Sequence, residues 1–267
     1  MTSCFFINLD TASIRRNDLE QCFARNSTPN FTLKRITAIT RAQVPDTQAQ
    51  LRKTDRAVNR SHLKALYKAK EERRTSIIME DDTFFFKETF NIFNKLIAKI
   101  KPNPPTLIYS DIMLTTPNGI TQFQKNYRPN KIKLVALKNV QYAGASLYIV
   151  NKSAIDLLIP YARQTLDTNP WDMTMRSLVH RAIINGMVIT PFITSVSVNA
   201  DESYNQPKDL QGTDFVWNTF RRSISLHPEL FPISKSLAKI RETYETHNLG
   251  VVKDILAAHA SDHFKNK

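Results

Sequence analysis

Short apolar runs alternate with amphipathic stretches along roughly the first 200 residues of the chain. The runs of strand length are CFFINL, FTLKRITAI, TSIIM, TLIYSD, KLVAL, ASLYIV and GMVIT. Between them lie helix-like segments, the first of which is DTASIRRNDLEQCFARN, where Ile14, Leu19 and Phe23 fall on one helical face. This alternation of strand and helix patterns predicts an α/β fold, in which helices flank a sheet.

Two further helices are predicted before and after the run TSIIM. NRSHLKALYKAKEERR has Leu63, Leu66 and Tyr67 on its inner side, and either Asn59 or Ser61 is available to cap its start. The helix after the run has apolar residues at steps of four and three, namely Phe86, Phe90, Phe93, Ile97 and Ile100. Beyond about Asn199 the chain is polar and then helical, which predicts a main domain over 1–200 and a mainly helical C-terminal extension over 201–267 packed on it.

Composition limits the class of protein. The chain has 267 residues, of which 42% are hydrophobic, enough for one large core. No segment reaches the roughly 18 to 20 apolar residues that span a bilayer, and the first residues do not have the layout of a signal peptide, so we expect a cytoplasmic protein. Cys4 and Cys22 lie in a predicted strand and a predicted helix, where buried free thiols are expected.

The formal net charge of +13 indicates an anionic partner. Nucleic acid, anionic lipid and phosphorylated small molecules would all be attracted, so charge does not choose among them. The C-terminal helices carry the basic residues Arg221, Arg222, Lys235, Lys239 and Arg241. These helices are expected either to rest on anionic lipid at the inner face of the membrane or to cover the edge of the sheet.

Three consecutive acids, Glu80, Asp81 and Asp82, follow the buried strand TSIIM. Ligands of open α/β sheets bind beyond the carboxyl ends of strands, and alternation turns Glu80 and Asp82 to the same side. Two neighbouring carboxylates repel each other unless a cation compensates them, and oxygen ligands suit Mg²⁺ or Mn²⁺. The alternatives are a cap on the following helix, a metal-dependent phosphohydrolase or nuclease, and a basic nucleic-acid-binding protein. The 5 glycines of the chain are too few for a glycine-rich phosphate loop.

Four segments in this order resemble glycosyltransferase family 25, which contains bacterial lipooligosaccharide β-galactosyltransferases and collagen-type galactosyltransferases. They are FFINLDTASIRRNDLEQCF, NRSHLKALYKAKEERRTSIIMEDDTFF, GASLYIVNKSAIDLLIP and PWDMTM, and together they span roughly residues 3 to 200. The Ser-His helix followed by the acidic triplet is the most specific of them. The resemblance implies a GT-A-like, nucleotide-binding mixed sheet and a metal-dependent transfer of sugar, with galactose as the expected sugar, from a UDP-sugar to a lipooligosaccharide, lipopolysaccharide or other glycan.

The resemblance also implies roles for individual residues. Asp82 would hold the metal with help from Glu80, while Asp81 would position the sugar or ribose. The nucleotide-sugar would be bound by residues near the first strand and in the Ser-His helix, namely Asn8, Arg15, Arg16, Ser61 and His62. The family inverts configuration, which requires a general base for the acceptor hydroxyl. Asp172 in PWDMTM is the first candidate for this base and Asp111 at the end of TLIYSD is the second. Nucleic acid is not expected as a partner on this reading.

Overall fold

A computed structural model describes residues 1–116, 119–120, 123, 125, 127–128, 131–197, 211–236 and 238 of the chain. Its strands are β1 (Thr2–Asn8), β2 (Phe31–Thr37), β3 (Ser76–Glu80), β4 (Thr83–Phe85), β5 (Thr106–Tyr109), β6 (Met113–Leu114), β7 (Lys133–Ala136), β8 (Tyr142–Ala143), β9 (Leu147–Val150), β10 (Asn185–Thr190) and β11 (Thr194–Val196). Its helices are α1 (Ser13–Asn26), α2 (Lys53–Glu71), α3 (Thr89–Ile97), α4 (Lys152–Thr165), α5 (Trp171–His180) and α6 (Gln211–Ser223), with 3₁₀ turns at Arg41–Gln43 and Pro228–Leu230.

The main sheet has seven strands in the order β2-β1-β3-β9-β5-β10-β7. β1 pairs in parallel with β2 and β3, and β5 pairs in parallel with β10. β9 is antiparallel to both β3 and β5, and β7 is antiparallel to β10 at one edge. This mixed sheet flanked by helices confirms the predicted α/β class. Because β1, β2 and β3 run in the same direction, their carboxyl ends meet at one edge of the sheet, where the acidic triplet lies.

Each face of the sheet carries its own hydrophobic core. Along β1, Phe5 and Ile7 face the core covered by α2, α4, α5 and α6, while Cys4 and Phe6 face the core covered by α1 and α3. Strands buried on both faces have continuous apolar runs, which is why SIIM and LYIV were recognisable as strands. Cys4 and Cys22 are free and buried, as expected, and burial raises the pKa of both thiols.

One predicted helix start is wrong, and one alternative interpretation of the acidic triplet is excluded. α2 begins at Lys53, so Asn59 and Ser61 are buried inside the helix and cap nothing. The polar sequence before Asn59 is helical because Arg56 binds Asp167 and the amide of Asn59 binds the carbonyl of Leu166. The acidic triplet is followed by β4, which pairs antiparallel with β11. α3 starts only at Thr89, so the triplet does not cap that helix.

The described part of the C-terminal region packs on the main body of the protein. Phe220 and Ile224 belong to the same core as α2 and α4. Arg221 and Arg222 are 5% and 2% exposed, so neither reaches a lipid surface, and for these two residues the lipid-contact alternative is wrong. Lys235 is exposed, whereas Lys239 and Arg241 lie outside the described residues. No helix in the described ranges has the length and apolar character needed to cross a membrane.

Asn151 joins α4 to the turn before β5. Its Oδ1 accepts hydrogen bonds from the backbone N–H groups of Ala154, at 3.0 Å, and Thr106, at 2.9 Å. Its Nδ2 donates to the carbonyls of Lys101, Pro102 and Pro104. One buried amide therefore both caps the helix and fixes the preceding turn.

We expect Asn151→Ala to lower the free energy of unfolding by about 2 to 4 kcal/mol, because it removes the cap and leaves buried backbone groups unpaired. Urea denaturation followed by circular dichroism measures this loss. Ser153→Ala is the matched control. Ser153 Oγ donates an exposed hydrogen bond to the carbonyl of Pro102 and lies 3.3 Å from Asn151 Oδ1, so this substitution should cost about 1 kcal/mol or less. Equal losses in the two variants would contradict the role given to Asn151.

Candidate functional site

Two cavities meet at the carboxyl ends of β1 and β3. The larger, about 450 Å³, is lined by the ends of β1 and β2, the start of α1 and one face of α2. The smaller, about 230 Å³, lies between α2, α5, α6 and the segment 144–146. Both are bordered by Val58, His62, Glu80 and Asp82. The acidic residues therefore form part of the wall between two spaces, each of which can accept a ligand.

Glu80 is held by a buried histidine. His62 Nε2 lies 3.3 Å from Glu80 Oε1, and its Nδ1 lies 3.1 Å from the hydroxyl of Tyr148. Because an ionised carboxylate only accepts hydrogen bonds, Nε2 of His62 carries a hydrogen and donates it to Glu80. The ring is also stacked on Trp171, with centroids 5.0 Å apart and an interplanar angle of 11°. His62 thus orients Glu80 from inside the protein.

Asp82 is the least compensated member of the triplet. Its Oδ1 is buried and has no hydrogen-bond partner among the described residues. Burial and the charges of Glu80 and Asp81 raise the pKa of Asp82 to about 7. Burial opposes ionisation of Glu80, but the hydrogen bond and electrostatic attraction of His62, followed by the charges of Arg221 and Arg15, outweigh it, so the pKa of Glu80 is lowered. Glu80 is therefore the ionised member of the pair near neutral pH.

Asp81 points toward the larger cavity and is bound by two of the predicted residues. Asn8 Nδ2 donates to Asp81 Oδ2 at 2.7 Å, and Arg15 Nη1 lies 3.4 Å from Asp81 Oδ1. Arg35, which was not predicted, donates through Nε to Asn8 Oδ1 at 3.0 Å and fixes the orientation of this amide. Burial raises the pKa of Asp81, while Arg15 and Asn8 oppose the rise. Arg16 is half-buried and is not among the residues lining either cavity.

Ser61 shapes the larger cavity through the backbone. Its hydroxyl donates to the carbonyl of Ala57 at 2.7 Å and accepts from the N–H of Ile39 at 2.8 Å. Ile39 follows β2, so this contact ties the segment after β2 to α2. Ser61 therefore lines the larger cavity, while its hydroxyl already binds the backbone of the cavity wall.

The side chains of Glu80 and Asp82, at the junction of the two cavities, are of a type that can bind a divalent metal ion. The described residues contain no group of three or more His, Cys, Asp or Glu side chains arranged to bind a metal. Glu80 and Asp82 nevertheless give two carboxylates, and the unpaired Oδ1 of Asp82 supplies a free oxygen ligand. Mg²⁺ sites often use only one or two carboxylates and complete their coordination with substrate phosphates and water. The residues therefore fit a metal that is shared with a phosphorylated ligand.

Asp172 lies in the first turn of α5 and lines the smaller cavity. Its Oδ2 accepts from the N–H of Gly144 at 3.0 Å, and its Oδ1 accepts from the N–H of Met173 at 2.9 Å. Gly144 has a φ of +93°, a conformation that favours glycine, so this N–H is presented at a position few other residues could occupy. Each carboxylate oxygen keeps a second lone pair for a ligand, which suits a fixed proton acceptor.

Asp111 occupies a different environment. It is 1% exposed and does not appear among the described residues that line the two cavities. Its carboxylate forms an ion pair with Arg221 and accepts hydrogen bonds from Ser146 Oγ at 2.8 Å and Thr194 Oγ1 at 2.6 Å. These contacts make Asp111 the anchor of Arg221. Of the two candidate bases, Asp172 lines the smaller cavity, whereas Asp111 is engaged in this ion pair.

Sequence reasoning missed three residues that line the smaller cavity: Asn59, Trp171 and Arg221. Asn59 was interpreted as a helix cap and Arg221 as part of a basic surface. The available signal was the pattern of α6, since Phe220 and Ile224 flank Arg221 and place its backbone against the core. A basic residue beside core positions of a helix has to be buried with a partner.

The raised pKa of Asp82 predicts how stability depends on pH. Between its ordinary value of 3.8 and about 7, the unfolded chain loses this proton while the folded chain keeps it, so stability falls as pH rises. With EDTA present at pH 8, we expect Asp82→Asn to have a higher melting temperature than wild type. The increase should be about 2 to 4 °C for each kcal/mol gained in the free energy of unfolding. The difference should vanish toward about pH 4.

Thermal melts at a series of pH values test this expectation. Asp10→Asn serves as the control, because Asp10 is 70% exposed and pairs with Arg35 at the surface. It should not reproduce the effect. A melting temperature for Asp82→Asn that matches wild type at every pH would show that Asp82 is not under electrostatic strain.

No protein-family model and no curated protein sequence match this chain. Among solved structures, the bifunctional glycosyltransferase WbbM in its apo form matches over 97% of this chain and 52% of its own, with a TM-score of 0.35 and 9% sequence identity. This chain therefore spans about half the length of that protein. A likeness this distant identifies no function, and membership of family 25 stays a prediction.

Proposed function

We propose that this protein is an inverting, metal-dependent glycosyltransferase that moves a sugar, with galactose as the expected one, from a UDP-sugar to a glycan acceptor. The observation that carries the proposal is the junction of two cavities at Glu80 and Asp82. A transferase has to hold a donor and an acceptor on either side of the bond that breaks. A phosphohydrolase or nuclease needs room for one organic ligand and water, so the second cavity favours transfer.

The larger cavity suits the nucleotide part of the donor. It is lined by Arg15 at the start of α1 and by Asp81 directly after β3, together with Ile39 and Thr40 after β2. Arg15 carries positive charge at the start of α1, where backbone N–H groups also favour a phosphate. Bound at Glu80 and Asp82, Mg²⁺ or Mn²⁺ would supply a Lewis acid for the charge that develops on the leaving diphosphate.

The smaller cavity suits the acceptor. In the proposed reaction, an acceptor hydroxyl oxygen attacks the anomeric carbon on the face opposite the diphosphate. The bond between that carbon and the phosphate oxygen breaks, and UDP leaves with the electron pair. Asp172 accepts the proton of the attacking hydroxyl, since both of its oxygens are fixed by the N–H groups of Gly144 and Met173.

Metal-dependent binding of UDP tests the donor site. We expect calorimetric titration to show UDP binding to wild type with Mn²⁺ and little binding with EDTA. Asp82→Ala should weaken binding by at least about a hundredfold, since even supporting residues of metal sites cost up to that much. Asp10→Asn, at the surface near the end of β1, should bind like wild type. A wild-type protein that ignores UDP but releases phosphate from nucleotides would favour a phosphohydrolase.

Asp172→Asn tests the acceptor side. It keeps the size of the side chain but removes the proton acceptor, so we expect kcat to fall by about 10² to 10⁴. The affinity for UDP should stay unchanged, because Asp172 does not line the larger cavity. Steady-state kinetics of transfer with a glycan acceptor, beside UDP titration of the same variant, separates the two effects. Unchanged kcat in this variant would exclude Asp172 as the base and return attention to Asp111.

A further inference from the structure

Four residues that line the smaller cavity have a buried polar atom without a hydrogen-bond partner in the part of the chain that the structure describes: Asn59 Oδ1, Asp82 Oδ1, Trp171 Nε1 and Arg221 Nε. Asp82 Oδ1 is the metal ligand considered above, whereas Asn59 and Arg221, which are 2% and 5% exposed, offer one acceptor and one donor. Both residues line the cavity together with Asp172. Buried polar groups in folded proteins are almost always hydrogen-bonded, and an unpaired one destabilises the fold. Two such atoms at one cavity indicate a ligand that pairs with them.

Asn59 can offer only an acceptor to this ligand. Its Nδ2 donates to the carbonyls of Leu166 and Asn169, both at 2.8 Å. The opposite orientation of the amide would place its oxygen against two carbonyl oxygens, so the network fixes which atom is which. Oδ1 therefore requires a donor from the ligand.

Arg221 can offer only a donor. One end of its guanidinium group is engaged, because Nη2 pairs with Asp111 and donates to Ser146 Oγ at 2.6 Å. Its Nη1 lies 3.5 Å from Asn218 Oδ1. These contacts hold the guanidinium group in place and leave the Nε hydrogen for an oxygen atom of the ligand.

We propose that Asn59 and Arg221 recognise hydroxyl groups of a sugar ring in the smaller cavity. A hydroxyl donates and accepts, so a polyhydroxylated ring satisfies both atoms at once. A phosphate or carboxylate bound at Arg221 would leave Asn59 Oδ1 without a donor, and an ammonium group would not accept from Arg221. The inference rests on the proposed function, since it names the chemical group that occupies the acceptor side of that site.

Titration of hexose-bearing probes into the full chain tests this assignment. The probes are UDP, UDP-galactose, UDP-glucose and the methyl galactoside and glucoside, each with Mn²⁺, and the glycosides are added both with and without UDP. The variants are Arg221→Lys, which keeps the charge facing Asp111 but loses the Nε hydrogen, and Asn59→Ala. Comparison of UDP-hexoses with glycosides shows whether the recognised ring belongs to the donor or to the acceptor.

Each variant has a matched control outside the cavity. Arg222→Lys changes the next residue of α6, which is 2% exposed and binds the carbonyl of Ser197. Arg56→Lys changes a residue of α2 that is also 2% exposed and pairs with Asp167. Neither arginine is among the residues that line the smaller cavity. Circular dichroism and thermal melts verify that all four variants are folded.

We expect Arg221→Lys and Asn59→Ala to weaken binding of the hexose group about tenfold to a hundredfold while changing the affinity for UDP by about twofold or less. The two controls should bind like wild type. Folded cavity variants that bind every hexose probe like wild type would overturn the inference, as would a wild-type protein that binds none. Glycoside binding without any UDP binding would support the inference and overturn the proposed function.

Discussion

The site is organised by the repulsion among the three carboxylates of the acidic triplet at one end of the sheet. Arg15 pairs with Asp81 of this triplet, whereas Arg221 is paired with Asp111. Full ionisation of the triplet beside Arg15 would leave two negative charges uncompensated, which is the charge of one divalent cation. Ionisation is least favourable at Asp82, whose pKa is raised by burial and by its acidic neighbours. Strain of this kind is typical of functional sites, where the fold accepts a local cost that a ligand relieves.

The partners of these carboxylates come from distant parts of the chain. Arg15 on α1 pairs with Asp81, His62 on α2 pairs with Glu80, and Arg221 on α6 pairs with Asp111. Parallel pairing of β1 with β2 and β3 brings the starts of the helices and the ends of the strands to one edge. The C-terminal region takes part as well, because the ion pair of Arg221 with Asp111 joins α6 to the wall of the smaller cavity. The electrostatic balance of the site thus depends on the complete packing of both helical layers.

The features that were best predicted from the sequence are those that depend on local sequence pattern. The apolar runs identified the central strands, and the position of the triplet after TSIIM identified the edge of the sheet at which it lies. The side-chain partners were less accessible, since the contacts of Asn59 with residues 166 and 169 and of Arg221 with Asp111 join residues more than 100 positions apart. The sequence shows that a residue is arginine but not whether its side chain is buried or exposed. The role of Asn59 was obscured by its preference for helix starts, which its tertiary contacts override.

The two cavities differ in how many polar groups of their walls are already hydrogen-bonded. On the side of the larger cavity, the polar groups of Asn8, Ser61 and Asp81 already bind one another or the backbone. On the other side, Asn59 and Arg221 are firmly held yet each keeps one atom unpaired. Polar groups that are fixed in place but unpaired discriminate strongly between ligands. A ligand without the matching donor or acceptor leaves a buried polar atom without a hydrogen bond. Under the proposed function, the larger cavity would therefore hold the nucleotide, and selectivity for the sugar would arise in the smaller one.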